Sequence, residues 1–278
     1  MKFTCCSNSF DLDRRVLIMG VLNVTPDSFS DGGDNVVPDL AIANALAMID
    51  AGADIIDIGG ESTRPGAEPV NAADELARVH PVIYGLRKET DVPVSIDTWK
   101  SQVARDSIAA GAVIINDISG FNRDPVMKCV AADTGAGCVV MHMRGTPQTM
   151  QSQTDYDDLI GEIKAYFVRA LKDLKAAGVA PDNICLDPGV GFSKTAEQNL
   201  LLLRRLAEFG GYGRPVLLGP SRKSFIGKTL GIDDPGARIW GTAAAVALGV
   251  GAGARIIRVH DVAAMRQVAD MALALSSA

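Results

Sequence analysis

Short, continuous apolar runs alternate along this chain with longer stretches in which apolar positions recur at three- and four-residue spacing. The first run, Val16, Leu17, Ile18, Met19, Val21 and Leu22, reads as a strand covered on both faces in a parallel sheet. It passes directly into a polar loop where Asn23, Thr25, Asp27, Ser28, Ser30 and Asp31 supply oxygens. Pro26 stiffens the turn there, and Gly32 and Gly33 let the backbone open like a lid. A helix over 38–51 follows, with Leu40, Ala41, Ala43, Ala45, Leu46 and Ile49 at helical spacing and Gly52 as its stop.

The event then repeats with a period of roughly thirty residues, the length of one strand–helix unit. Strands are predicted at 54–58, 92–96, 113–115, 137–141, 184–186, 215–218 and 254–259. Helices are predicted at 73–89, 101–110, 125–133, 156–177, 196–209, 236–249 and 262–275. An open doubly wound sheet usually has fewer strands and carries a glycine-rich dinucleotide loop after the first, and no GxGxxG follows residue 22. Eight alternations favour an α/β fold of the closed (β/α)8 barrel type. Extended segments at 3–6 and 10–12, separated by Ser7-Asn8-Ser9, predict a short N-terminal β-hairpin plugging the bottom of the barrel. The expected organisation is one domain over 1–278, with the hairpin in 1–14 and the barrel in 15–277.

The length of 278 residues suits a single barrel with loop insertions, and an apolar fraction of 47% with 22% charged residues excludes a disordered chain. A net charge of −6, with acids and bases interleaved, argues against general attraction to nucleic acid or an anionic membrane, so any anion site must be local. The first residues lack a basic start and apolar core, and no apolar run is long enough to cross a bilayer, so a cytoplasmic location is expected. Cys5, Cys6, Cys129, Cys138 and Cys185 lack the spacing of a zinc site or disulfide framework and are assigned no chemistry; Cys138 and Cys185 read as small core residues.

In such a barrel the carboxyl ends of the strands form the catalytic face, so the residues just past each strand must converge on one mouth. They include Asn23, Asp57, Asp97, Asn116, Met141, His142, Asp187, Ser221, Lys223, Arg258 and His260, together with Arg64 in the GGESTRPG segment. Asp97, Asn116 and Asp187 place acceptors at the ends of buried strands, where a flat heterocycle with several N–H donors would satisfy them. Arg64, Lys223, Arg258 and His260 form an opposing cationic set suited to an anionic phosphate. Arg258 stands out because Ile256, Ile257 and Val259 place it inside an apolar strand, where an unpaired charge is costly. Asn23 offers one neutral oxygen, sufficient for Mg²⁺ if water and substrate phosphate complete its shell. His80 reads as a half-buried packing residue, Trp99 and Trp240 as packing or rim residues, and His142 as a side chain without a recognisable partner.

Taken together, GVLNVTPDSFSDGG, DIGGESTRPGA, SIDTWK, INDISG, DPGVGFSK, GPSRKSFIG and RIIRVHDV resemble the motifs of the dihydropteroate synthase family, pterin-binding barrels of folate biosynthesis. The resemblance runs from about residue 16 to 262. It implies condensation of (7,8-dihydropterin-6-yl)methyl diphosphate with 4-aminobenzoate, giving 7,8-dihydropteroate and diphosphate with Mg²⁺. By the same resemblance, Asp97, Asn116, Asp187 and Lys223 would hold the pterin with Met141 lining its pocket, and Asn23 would ligate the metal. Arg64, Arg258 and His260 would take the diphosphate, while Phe29, Thr63, Pro65, Ser221 and Lys223 would border the aminobenzoate. A homodimer and sensitivity to sulfonamides are further expectations. A pterin-barrel methyltransferase would share the pterin-holding acids but has no need of the cationic cluster or the STRPG loop. A non-catalytic pterin-binding protein would have lost metal or diphosphate residues, and none is missing.

Overall fold

In the computed structural model, which describes residues 1–25 and 36–277, the predicted alternation closes on itself. Two antiparallel strands, β1 (Lys2–Cys5) and β2 (Asn8–Asp11), precede the barrel. The barrel strands are β3 (Leu17–Asn23), β4 (Ile55–Gly59), β5 (Val94–Asp97), β6 (Ile114–Asp117), β7 (Gly137–Met141), β8 (Ile184–Asp187), β9 (Val216–Leu218) and β10 (Ala254–Val259). All are parallel, in chain order, with β10 pairing back onto β3. Around them lie α1 (Val36–Asp50), α2 (Ala72–Glu89), α3 (Ser101–Ala109), α4 (Met127–Thr134), α5 (Leu159–Ala176), α6 (Ala196–Arg204), α7 (Ser224–Leu230), α8 (Ile239–Gly251) and α9 (Val262–Ser277).

Most barrel strands are apolar on both faces because each face meets a different core, β5 being the exception with Ser95 and Asp97. Ile18, Ile56, Ile58, Ile96, Ile115, Val140, Leu186, Leu218 and Ile257 point outward into the layer shared with the helices. Leu17, Met19, Ile55, Ile114, Val139, Cys185, Leu217 and Ile256 point inward and fill the lower barrel. The hairpin joins this inner cluster: Phe3, Cys5 and Leu12 are fully buried against it and close the amino-terminal end. Cys138 and Cys185 are buried core thiols, and all five cysteines are free.

Several boundaries differ from the sequence expectations. The helix predicted over 196–209 ends at Arg204 and passes into a 3-10 segment, Leu206–Tyr212, which keeps Phe209 buried while the chain tightens. The helix predicted over 236–249 begins at Ile239 after a 3-10 turn, and α7 is an additional short helix between β9 and α8. The predicted 156–177 helix starts at Leu159, where the Asp158 carboxylate accepts the Gly161 N–H at 3.0 Å as its cap. His80 is exposed rather than half-buried, since α2 turns Val79, Val82, Ile83 and Leu86 to the core. Trp99 is buried, whereas Trp240 is 81% exposed. No helix among the described residues is long and apolar enough to cross a membrane.

Candidate active site at the carboxyl ends of the strands

The period-two alternation that fills the lower barrel with Ile55, Ile114, Val139, Cys185 and Ile256 brings the residues two positions on to the inner face nearer the mouth. These are Asp57, Asn116, Met141, Asp187 and Arg258, joined on β5 by Asp97. One strand geometry thus builds an apolar floor and a polar rim. Asp57, Asp97, Asn116 and Asp187 are all buried.

Arg258 sits between two of the acids. Its Nε donates to Asp57 Oδ2 at 2.6 Å and its Nη2 to Asp97 Oδ2 at 2.6 Å, while Asn116 Nδ2 donates to Asp57 Oδ2 at 3.0 Å. Sequence reasoning placed Asp57 at the mouth but gave it no role; it is fully buried and anchors the arginine and the asparagine together. The paired carboxylates raise the guanidinium pKa despite its burial. Asp97 has Oδ1 buried with no partner among the described residues. Burial, aided by the neighbouring charge of Asp57, pushes the Asp97 carboxyl up to about 7 against the pull of Arg258.

The loop after β8 carries the next group. Burial raises the Asp187 pKa, partly offset by Lys223 and by the Gly189 N–H, which donates to Asp187 Oδ1 at 2.7 Å. Lys223 donates to the Val190 carbonyl, and its ammonium lies 4.5 Å from the centre of the Phe192 ring. Desolvation brings the Lys223 pKa down to about 8. Gly191 has φ +84°, and a Cβ there would stand 2.5 Å from Lys223 Cδ, so the lysine runs where a side chain would be. His142 does have a partner, contrary to expectation: buried Lys194 places Nζ 3.2 Å from His142 Nδ1 and donates to the Gly189 and Phe192 carbonyls, both at 3.0 Å. Where Lys194 is an ammonium it only donates and His142 accepts at Nδ1; burial and the lysine hold the His142 pKa down. Burial lowers the Lys194 pKa to about 7. Met141 packs with Trp99 and Ile118 into a small apolar wall, with Phe192 against it.

At the β9–β10 side, Ser221 Oγ lies 2.9 Å from His260 Nδ1 and accepts the His260 backbone N–H at 3.1 Å. Burial, then Arg258 and Arg222, bring the His260 pKa down to about 4, so near neutral pH it offers a ring hydrogen bond and not the cation expected from sequence. Arg222 pairs with Asp261, Nε to Oδ2 at 3.0 Å, and holds the segment between Ser221 and Lys223. Arg64 and Pro65 are exposed, Thr63 is half-buried, and Arg64 is near enough to His260 to contribute to its lowered pKa. The root of this loop is pinned by Lys100, whose Nζ donates to Glu61 at 2.8 Å and to fully buried Glu75 at 2.5 Å, a triad sequence reasoning did not find. Phe29 lies outside the described residues.

Asn23 ends β3 opposite Gly59. A Cβ on Gly59 would come within 3.8 Å of both Asn23 Oδ1 and Asp97 Oδ2, so the glycine keeps open a space faced by two oxygens. Among the described residues no three His, Cys, Asp or Glu side chains cluster to hold a metal. The oxygens of Asn23 and Asp97 are of the kind a Mg²⁺ ion takes when water and phosphate fill the rest of its shell.

A barrel whose mouth sets buried acceptors against buried cations matches the pterin binding enzyme family over residues 19–260. A dihydropteroate synthase from a Synechocystis strain is 53% identical over 96% of this chain and 92% of its own length. The crystal structure of the Yersinia pestis dihydropteroate synthase with a sulfonamide drug complex is 43% identical, covers all of both chains and superposes with a TM-score of 0.93. That of the Xanthomonas albilineans enzyme with 4-aminobenzoic acid is 40% identical over all of this chain and 98% of that one, also at 0.93. The chain belongs to the dihydropteroate synthase family.

Proposed function

We propose that this chain condenses (7,8-dihydropterin-6-yl)methyl diphosphate with 4-aminobenzoate, releasing 7,8-dihydropteroate and diphosphate in folate biosynthesis. The observation that carries the reading is the buried constellation of Asp97, Asn116 and Asp187 beside Lys223 and Arg258 around one opening. In this reading the three acceptors take N–H groups of the pterin, Lys223 donates to it, and Met141 lines its pocket.

The reaction makes one C–N bond and breaks one C–O bond. The C–O electron pair leaves first with the diphosphate, while Asp97 and Asp187 would favour the electron-poor pterin; the arylamine lone pair then takes the methylene carbon and the amine proton is lost to solvent. A neutral arylamine already carries a usable lone pair, so no strongly perturbed general base is required. Arg64, Arg258 and His260 would receive the departing diphosphate, His260 as a neutral donor. Asn23 would hold Mg²⁺, whose bound charge would offset that of the diphosphate oxygens. Thr63, Pro65, Ser221, Lys223 and Phe29 would border the aminobenzoate. The loop at 59–70 would close over the site and exclude water that could capture the activated methylene; of the loop expected at 24–35, residues 26–35 lie outside the described residues.

The family likeness to the sulfonamide-bound Yersinia structure supports sulfonamides as competitors of aminobenzoate here. A homodimer would find exposed apolar side chains on α8 and α9, namely Trp240, Leu248, Met271 and Leu275, to bury. The location we assign is the cytoplasm. The deciding measurement is diphosphate release from the dihydropterin diphosphate with Mg²⁺, run with and without 4-aminobenzoate. Release coupled to dihydropteroate formation is expected; pterin binding without turnover would overturn the assignment.

A further inference from the structure

The inner face of β4 carries a buried acid that none of the substrate-facing roles above uses. Asp57 is opposite Val21 and Ser95 in register, whereas Asn116 is opposite Asp97, whose partner on β4 is Gly59. Across two tilted strands that offset leaves Asn116 level with Asp57, in one inner layer to which alternate strands also bring Asp187 and Arg258. A single oxygen, Asp57 Oδ2, accepts from both Asn116 Nδ2 and Arg258 Nε. A carboxylate paired with a guanidinium only accepts, so the amide end turned toward it is necessarily the nitrogen. The Asn116 carbonyl oxygen is therefore the end of the amide turned away from Asp57. Arg258 is fixed by the same contact: Nε on Asp57 and Nη2 on Asp97 occupy one edge of its fork.

We infer that Asp57 is a positioning residue that sets the polarity of the pterin site, fixing the Asn116 amide with its oxygen outward and the Arg258 fork edge-on. This rests on the pterin reading above. With Asp57 in place and both acids ionised, the wall formed by Asp97, Asn116 Oδ1 and Asp187 is acceptor throughout. It selects a ring edge that carries N–H donors and rejects a pteridine in which the exocyclic amine is replaced by a carbonyl oxygen. In Asp57→Asn the new side chain can give its oxygen to Arg258 and its nitrogen to Asn116, so the Asn116 amide is free to turn over and show its own nitrogen to the ligand.

The experiment compares binding of 6-hydroxymethylpterin and its 2,4-dioxo counterpart to the full-length wild type and to Asp57→Asn, with thermal unfolding as the check on folding. The variant should bind the pterin about tenfold more weakly and show a preference for pterin over the dioxo compound reduced by about tenfold. A variant that matches the wild type, or that loses both ligands by the same factor as a merely structural defect would, overturns the inference. Wild-type protein supplies an independent measurement should the variant fold poorly. Its Asn116 side-chain amide protons, assigned by their loss in Asn116→Asp, should be protected from exchange without ligand; protection that appears only with bound pterin overturns it. Wild-type protein that binds neither pteridine overturns the pterin reading itself, and this inference with it.

Discussion

Asp97→Asn keeps the shape of a side chain at the centre of the mouth and removes its charge. Asp97 Oδ2 holds Arg258 at 2.6 Å, and Oδ1 is buried without a protein partner. In the proposed complex the carboxylate accepts a pterin N–H. A hydrogen bond to a charged group is worth about 1.5–3 kcal/mol, so pterin affinity should fall by about 10- to 150-fold. The pH dependence sharpens the test. Burial raises the Asp97 pKa from 3.8 to about 7, and the ionised form is the acceptor. Wild-type affinity should therefore climb as pH rises through about 7, whereas the variant, with nothing to titrate at that position, should stay flat. Stability runs the other way. The folded chain keeps the Asp97 proton over an interval in which the unfolded chain has released it, so wild type loses stability from about pH 4 to about pH 7. The loss is at most ~4 kcal/mol for about three pH units. Calorimetric titration with 6-hydroxymethylpterin across pH, paired with thermal unfolding, reads both effects. Unchanged affinity in the variant, or an affinity that climbs with pH as steeply as in wild type, would refute the reasoning.

Three further outcomes are expected. Lys223 is a cation only below about pH 8, so pterin affinity should decline above that pH, and Lys223→Met should weaken binding at least about tenfold and abolish the decline; a persisting alkaline limb would assign it elsewhere. Gly191→Ala places a methyl group 2.5 Å from Lys223 Cδ at a positive φ, which should cost about 1–2 kcal/mol in urea unfolding and raise KM for the pterin substrate; full stability with unchanged KM would contradict the packing described. Phe29→Ala and Pro65→Ala should each raise KM for 4-aminobenzoate more than they weaken pterin binding, and equal losses for the two ligands would count against their placement.

The barrel was legible because each unit repeats a local signal, an apolar run followed by a helical period, and because most of the parallel strands are apolar on both faces. Helix α7 was not, since its seven residues carry too few turns to show a period and begin directly after the polar Ser221-Arg222-Lys223 segment. The candidate residues at the strand ends could be named from their positions, but their partners could not. Asp57 meets Arg258 across 201 positions, and His142 meets Lys194 across 52. Local sequence also misstates charge at His260: beside Arg258 and Asp261 it reads as one more cation, and only the burial and the arginines folded around it lower its pKa. Closure of the barrel supplies these meetings; no window of sequence contains both partners.

The hairpin stopper gives the barrel a single doorway. Phe3, Cys5 and Leu12 leave no passage through the amino-terminal end, so every reactant and product crosses the same threshold. The acids of the mouth are buried and Arg64 is exposed, so the ligand that reaches the acids is the one seated first. In the proposed reaction the pterin diphosphate has to be seated before aminobenzoate arrives. The diphosphate has to clear the entrance before the longer dihydropteroate can back out, so a diphosphate that lingers there bars the way for both.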